Sequence, residues 1–108
     1  MPPASFSIDA REGTARAGVL HLAHGQVRTP AFVPLASNAS VRGLAAAEVA
    51  ALGFEMVLGN TFHLFVEPGH QHVAEMGGLH EFMGWPRPII TDSGGFQVFS
   101  MGHGSVAE

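Results

Sequence analysis

Pro88-Ile89-Ile90-Thr91-Asp92-Ser93-Gly94-Gly95-Phe96-Gln97-Val98-Phe99-Ser100 decides how this chain is read. A short apolar run ends in one carboxylate, and a hydroxyl and two glycines follow at once. That order describes a buried strand, Pro88 to Asp92, opening at its C-terminal end into a tight turn with Asp92 at the lip. Strand ends of this kind, beside backbone able to approach a ligand closely, are where α/β enzymes hold catalytic groups.

Upstream, Glu55-Met56-Val57-Leu58-Gly59-Asn60 has the same form, a buried strand ending in a polar residue. Between the two, Pro68 to Met76 reads as a helix stopped by Gly77-Gly78, with Leu79 to Met83 as a further turn. Ala31-Phe32-Val33-Pro34-Leu35 reads as another short apolar strand, followed by a small-residue loop, Ala36 to Ser40. Leu44 to Leu52 is the clearest helix, rich in alanine, with Gly53 where a left-handed C-terminal cap belongs. From Pro30 onward the order is strand, helix, strand, helix, strand. Such alternation predicts parallel strands joined by crossovers, in a sheet covered on both faces.

Before Pro30 the pattern changes. Phe6 and Ile8 alternate with Ser5, Ser7 and Asp9, Arg11-Glu12-Gly13-Thr14 reads as a turn, and Ala17 to Leu22 can pair back on the first strand. His24-Gly25 closes a second turn before Gln26-Val27-Arg28-Thr29. Residues 1–29 are thus expected to form an antiparallel meander, and residues 30–108 the βα units up to a third parallel strand and its loop.

At 108 residues the chain fits one domain, yet 46% of it is hydrophobic and only 13% charged. Small domains carry much surface per volume, so this balance suits part of a larger core. The net charge is −4, with five arginines and no lysine, which gives no basic footprint for nucleic acid by itself. Without cysteine, the segment has neither disulfides nor thiolate metal ligands. The longest apolar runs fall far short of the roughly 20 residues of a membrane span, and the N-terminus lacks the basic start of a secretory leader. A cytoplasmic protein is expected.

Asp92 reads in two ways: as a general base or base-recognising carboxylate, or as a cap on its own turn. Ser93, Gly94 and Gly95 offer backbone N–H groups to a ligand, or form a plain turn. No Gly-x-Gly-x-x-Gly or Walker pattern surrounds them, which argues against a nucleotide-phosphate loop. Phe96 can stack on a planar ligand, or pack in a core with Phe99. Asn60 ends its strand as Asp92 does, so on neighbouring strands the two share a rim; it can hydrogen-bond a sugar hydroxyl, orient a carboxylate, or serve as a turn asparagine. His70, His72 and His80 lack the spacing of a metal motif and read as surface or helix-capping residues, so no cofactor is expected in this segment.

Gly59-Asn60-Thr61-Phe62-His63-Leu64, Pro68-Gly69, Gly77-Gly78-Leu79-His80-Glu81-Phe82-Met83-Gly84-Trp85 and Ile90 to Ser100 together resemble the N-terminal part of the tRNA-guanine transglycosylase (queuine tRNA-ribosyltransferase) family. The resemblance runs from about Phe6 to the last residue. It implies the first portion of a (β/α)₈ barrel preceded by an antiparallel sheet. It also implies exchange of guanine at the tRNA wobble position for a 7-deazaguanine. Asp92 matches the family's proton acceptor, which also contacts the base; Ser93, Gly94, Gly95 and Phe96 match its base-binding turn, and Asn60 a residue near the ribose. The family's aspartate nucleophile, its Cys₃His zinc site and most of its tRNA surface are expected beyond Glu108, and the parent is allowed to be a homodimer.

Two departures stand out. The loop Ala36 to Arg42 lacks the Thr and Lys usual in the family, and Glu67 stands where a basic residue is common. Two rival readings remain: a truncated remnant or half-barrel that needs a partner chain, and a self-contained α/β binding module in which Asp92 only caps its turn.

Overall fold

A computed structural model describes residues 4–95. The first three strands, β1 (Ser5–Glu12), β2 (Ala15–Leu22) and β3 (Gly25–Thr29), form an antiparallel sheet in sequence order. Ser5 pairs with His21 and Glu12 with Ala15, and a register shift between Ile8 and Ala10 leaves Asp9 without a ladder partner. Phe6, Leu20 and Val27 lie opposite one another across the sheet, so they share one face. The alternation of Phe6 and Ile8 with polar residues is the sequence cause of that face.

The second sheet is parallel and also follows sequence order: β4 (Leu35–Ala36), β5 (Val57–Gly59) and β6 (Ile89–Thr91). Helix α1 (Ala46–Ala51) links β4 to β5; α2 (Thr61–Val66), α3 (His70–Glu75) and α4 (Leu79–Met83) lie between β5 and β6. The expected βαβαβ order is therefore present, with shifted bounds and one added helix. Strand β4 begins at Leu35, not at Ala31, because Pro30 and Pro34 bring no N–H to a ladder. Helix α1 begins at Ala46, not at Leu44; Glu48 Oε1 accepts the Ala45 N–H at 2.8 Å and fixes the start there. Strand β5 begins at Val57 because Glu55 turns aside to bind Arg28. Helix α2 was not expected at all, and α3 is correspondingly shorter than Pro68 to Met76.

Gly53 stands just past α1 with φ +95°, the left-handed position expected of it. Beside it, the Arg87 guanidinium donates to the carbonyls of Phe54 (2.8 Å) and Ala50 (3.5 Å). A cation at this end of a helix also complements its dipole.

Ala36, Val49, Val57 and Trp85 form the core between α1 and one face of the parallel sheet, with Phe54, Met83 and Ile89 packed against it. Trp85 is 2% exposed, and its indole N–H donates to the Pro88 carbonyl at 3.0 Å. The other face carries Leu35, Leu58 and Ile90, aligned in register across the three strands. There Leu35 is 54% and Ile90 45% exposed. Parallel sheets are usually covered on both faces; here, among the described residues, the two outer members of the row are exposed and Leu58 between them is half-buried.

Glu55 ties the two sheets together. Its Oε1 accepts from the Arg28 backbone N–H (3.0 Å) and from Arg28 Nε (3.1 Å). The backbone bond from Arg28 is the main reason this carboxyl is held below its ordinary value; burial opposes the shift, and the Arg28 and Arg87 guanidinium groups reinforce it. A second joint lies at the β2–β3 turn, where the rings of His24 and His80 stack at 3.5 Å. Burial, and then the neighbouring His24, push His80 below its ordinary 6.5, while a backbone hydrogen bond to Arg87 acts the other way.

Candidate functional site

Strands β4, β5 and β6 run parallel, so their C-terminal ends meet along one edge of the sheet. Three segments leave from that edge: the loop beginning at Ser37, the turn into α2 at Asn60, and the turn beginning at Asp92.

Asn60 is 8% exposed, and both ends of its amide are used. Its Oδ1 accepts the His63 N–H at 3.0 Å and so caps α2. Its Nδ2 donates to Asp92 Oδ2 at 3.4 Å. The cap settles which end is which, since a backbone N–H requires an acceptor. Helix α2 therefore exists because a strand-ending asparagine satisfies its first turn and Leu64 is buried beneath it. Of the readings offered for Asn60, the contact with Asp92 matches the carboxylate orienter; the cap on α2 is an added role, and at φ −88° the residue is not a left-handed turn asparagine.

Half-buried Asp92 receives donors from the neighbouring strand end. Its Oδ1 accepts the Thr61 backbone N–H at 2.9 Å, beside the Asn60 contact at Oδ2. The Thr61 hydroxyl donates to the Asp92 backbone carbonyl. None of these bonds joins Asp92 to its own turn. Ser93 takes the local role instead, its Oγ accepting the Gly95 N–H at 3.2 Å.

Gly94 is buried, with φ +70°. A Cβ added there would lie 3.4 Å from the Phe62 nitrogen and 3.6 Å from Thr61 Cβ, on backbone that L side chains rarely adopt. The turn 92–94 is thus seated directly on the first turn of α2. Gly95 is exposed. Phe96 and Phe99, expected to stack or pack, lie outside the described residues.

Two hollows open beside this rim. One, of about 230 Å³, is lined by Thr61, Leu64, Phe65, His70, Val73 and Leu79, with Thr91 at its edge. The other, of about 450 Å³, is lined by Leu35, Ser37, Asn38, Ser40 and Arg42 from the loop after β4. Asp92 lines neither; it stands between the strand ends.

Chemically, the rim offers one carboxylate with each oxygen held by a fixed donor, and a turn packed on α2 through Gly94 with Gly95 exposed beside it. Such a group can accept a proton, or a hydrogen bond from a ring N–H. The histidines do not converge: among the described residues no three His, Asp or Glu side chains come together as a metal site. His70 stacks on Phe65 at 5.1 Å, and His72 meets the edge of Phe82 at 5.8 Å. His80 is half-buried, and its Nε2 lies buried without a partner among the described residues. Sequence reasoning missed Thr61; a hydroxyl residue directly after a strand-ending asparagine was the available signal. No described helix is long and apolar enough to cross a membrane.

Comparison with known proteins adds a family. The family described as queuine tRNA-ribosyltransferase matches residues 9–108. A queuine tRNA-ribosyltransferase of Nitratidesulfovibrio vulgaris is 54% identical over 99 residues, covering 92% of this chain and 26% of the relative. Its counterpart in Zymomonas mobilis is 53% identical over 100 residues, 93% of this chain and 26% of the relative. One from Roseiflexus is 50% identical over 106 residues, 96% of this chain and 26% of the relative. The chain thus spans about a quarter of the length of the curated relatives it matches.

Proposed function

The chain belongs to the queuine tRNA-ribosyltransferase family, and from that premise we propose that it carries the proton acceptor and part of the base pocket of a tRNA-guanine transglycosylase. The parent enzyme replaces guanine at the wobble position of a tRNA anticodon with a 7-deazaguanine. The observation that carries this reading is Asp92 at the C-terminal rim of a parallel sheet, held by Asn60 and Thr61.

In the exchange, a nucleophile from the rest of the enzyme attacks the ribose C1′ as the bond to guanine breaks. The incoming base then attacks the same carbon and displaces that nucleophile. As its ring nitrogen bonds to C1′, the N–H proton passes to the Asp92 carboxylate. Ser93, Gly94 and Gly95 form the turn beside the base, with the Gly95 N–H held by Ser93 Oγ; Phe96 stacks on the base, and Asn60 lies near the ribose while orienting Asp92. The target guanine leaves its stack to enter such a pocket.

Three parallel strands are the opening part of an eight-stranded barrel of about 250 residues. The remaining strands would cover the Leu35–Leu58–Ile90 row, which is what favours a second reading, a half-barrel that works only with a partner chain. The zinc expected of the parent does not fit the residues here, since the chain has no cysteine and no ligand cluster forms among the described residues. It belongs to the remainder, with the nucleophile, the main tRNA surface and any homodimer contact; the location is cytoplasmic.

The test is a hybrid in which this chain replaces the matching 100-residue segment of the Zymomonas mobilis relative. The hybrid should exchange labelled guanine into tRNA, and Asp92→Asn should abolish exchange while tRNA still binds. An Asp92→Asn hybrid exchanging at the parent rate overturns the reading.

A further inference from the structure

We infer that Thr61 is the positioning residue of this rim, fixing both the backbone and the carboxylate of Asp92; the inference rests on the reading of Asp92 as proton acceptor. Three different groups of Thr61 meet three parts of the 92–94 turn. Its N–H holds Asp92 Oδ1 at 2.9 Å. Its hydroxyl donates to the Asp92 carbonyl. Its Cβ stands where Gly94 approaches, 3.6 Å from a Cβ added at that glycine.

The hydroxyl bond has a topological cause. The β5–β6 ladder ends at Gly59 opposite Thr91. One residue further, β5 has turned into α2 and presents no strand edge, so the Asp92 carbonyl has lost its place in the ladder. The Thr61 side chain supplies that missing rung. Without it, the carboxylate would still be held by an N–H and an amide, while the peptide it hangs from would swing. A β-branched residue limits the choice of χ1, and the bond to the Asp92 carbonyl selects the rotamer.

The experiment uses the hybrid enzyme, with Thr61→Val, Thr61→Ala, Thr61→Ser and Asp92→Asn compared. Valine keeps the shape and the backbone N–H and removes only the donor; serine restores it. Losing one net hydrogen bond of this kind predicts a fall of about tenfold in kcat for Thr61→Val. KM for tRNA should not change, and the acidic limb of the pH–rate profile should move. Thr61→Ser should recover to within about threefold of the parent. A Thr61→Val hybrid with parental kcat and pH profile, beside an inactive Asp92→Asn hybrid, overturns the positioning role and leaves Asp92 standing. Loss of exchange, tRNA binding and melting stability together in both the valine and alanine variants also overturns it, by making Thr61 structural. Exchange that survives Asp92→Asn removes the underlying reading itself.

Discussion

Asn60→Asp keeps the size of the side chain and the acceptor that caps α2, yet it sets a second carboxylate against Asp92. In the native rim the Asn60 amide donates to Asp92 Oδ2 at 3.4 Å. Two unit charges at that separation repel by roughly 1 kcal/mol at the dielectric of water and roughly 5 kcal/mol at an effective value of about 20. Asp92 is half-buried and position 60 is only 8% exposed, so the upper part of that range applies, to which the lost hydrogen bond adds about 0.5–1.5 kcal/mol. Asn60→Ser is the control, because it retains a capping oxygen and adds no charge. The hybrid enzyme is the material, and melting midpoints at neutral and mildly acidic pH are the assay. At neutral pH the aspartate variant should melt a few degrees below the serine variant. Acidification should close that gap as one of the two facing carboxylates takes a proton. Equal midpoints at neutral pH, or a gap that persists in acid, would refute the idea that Asn60 and Asp92 act on each other.

Two further outcomes follow from the fold. The 108-residue chain alone should exchange no labelled guanine and should bind a hydrophobic dye such as ANS through its bare sheet face; Leu35→Ser with Ile90→Ser should cut dye binding severalfold, and unchanged binding would show that the row is not the exposed surface. For His80, burial depresses the folded-state value below 6.5, so its contribution to stability is full above that pH and is lost as pH falls through the depressed value. His24 faces it from the β2–β3 turn, Arg87 from the loop after α4, and Glu81 is its neighbour on α4. The hybrid carrying His80→Gln should therefore lose less melting stability on acidification than the parent, and identical pH slopes would remove His80 as the cause.

Much of the fold is written in local pattern. Phe6 and Ile8 alternate with polar neighbours, Gly53 follows an alanine-rich run, and apolar stretches end at Asn60 and Asp92; each feature needs only its own neighbours to be read. Helix α2 escaped because Phe62, Phe65 and Val66 are weak helix formers, and the helix rests on the Asn60 cap and buried Leu64. The shift of β4 was legible in Pro34, whose missing N–H weighed less in the reading than the surrounding apolar residues. The role of Glu55 was hidden, because its partner Arg28 lies 27 residues away. Thr61 shows in the sequence only as a hydroxyl directly after Asn60; the carbonyl it holds lies on the next strand, 31 residues away, and leaves no trace in local pattern.

The Arg28–Glu55 contact has an unequal division of labour. One of the two donors to Glu55 Oε1 is main chain, so any residue but proline at position 28 still presents it. Position 55 enjoys no such licence, because only an acceptor side chain can receive that N–H. Substitution at position 28 should therefore leave one of the clasp's two bonds standing, whereas loss of the acceptor at position 55 removes both at once.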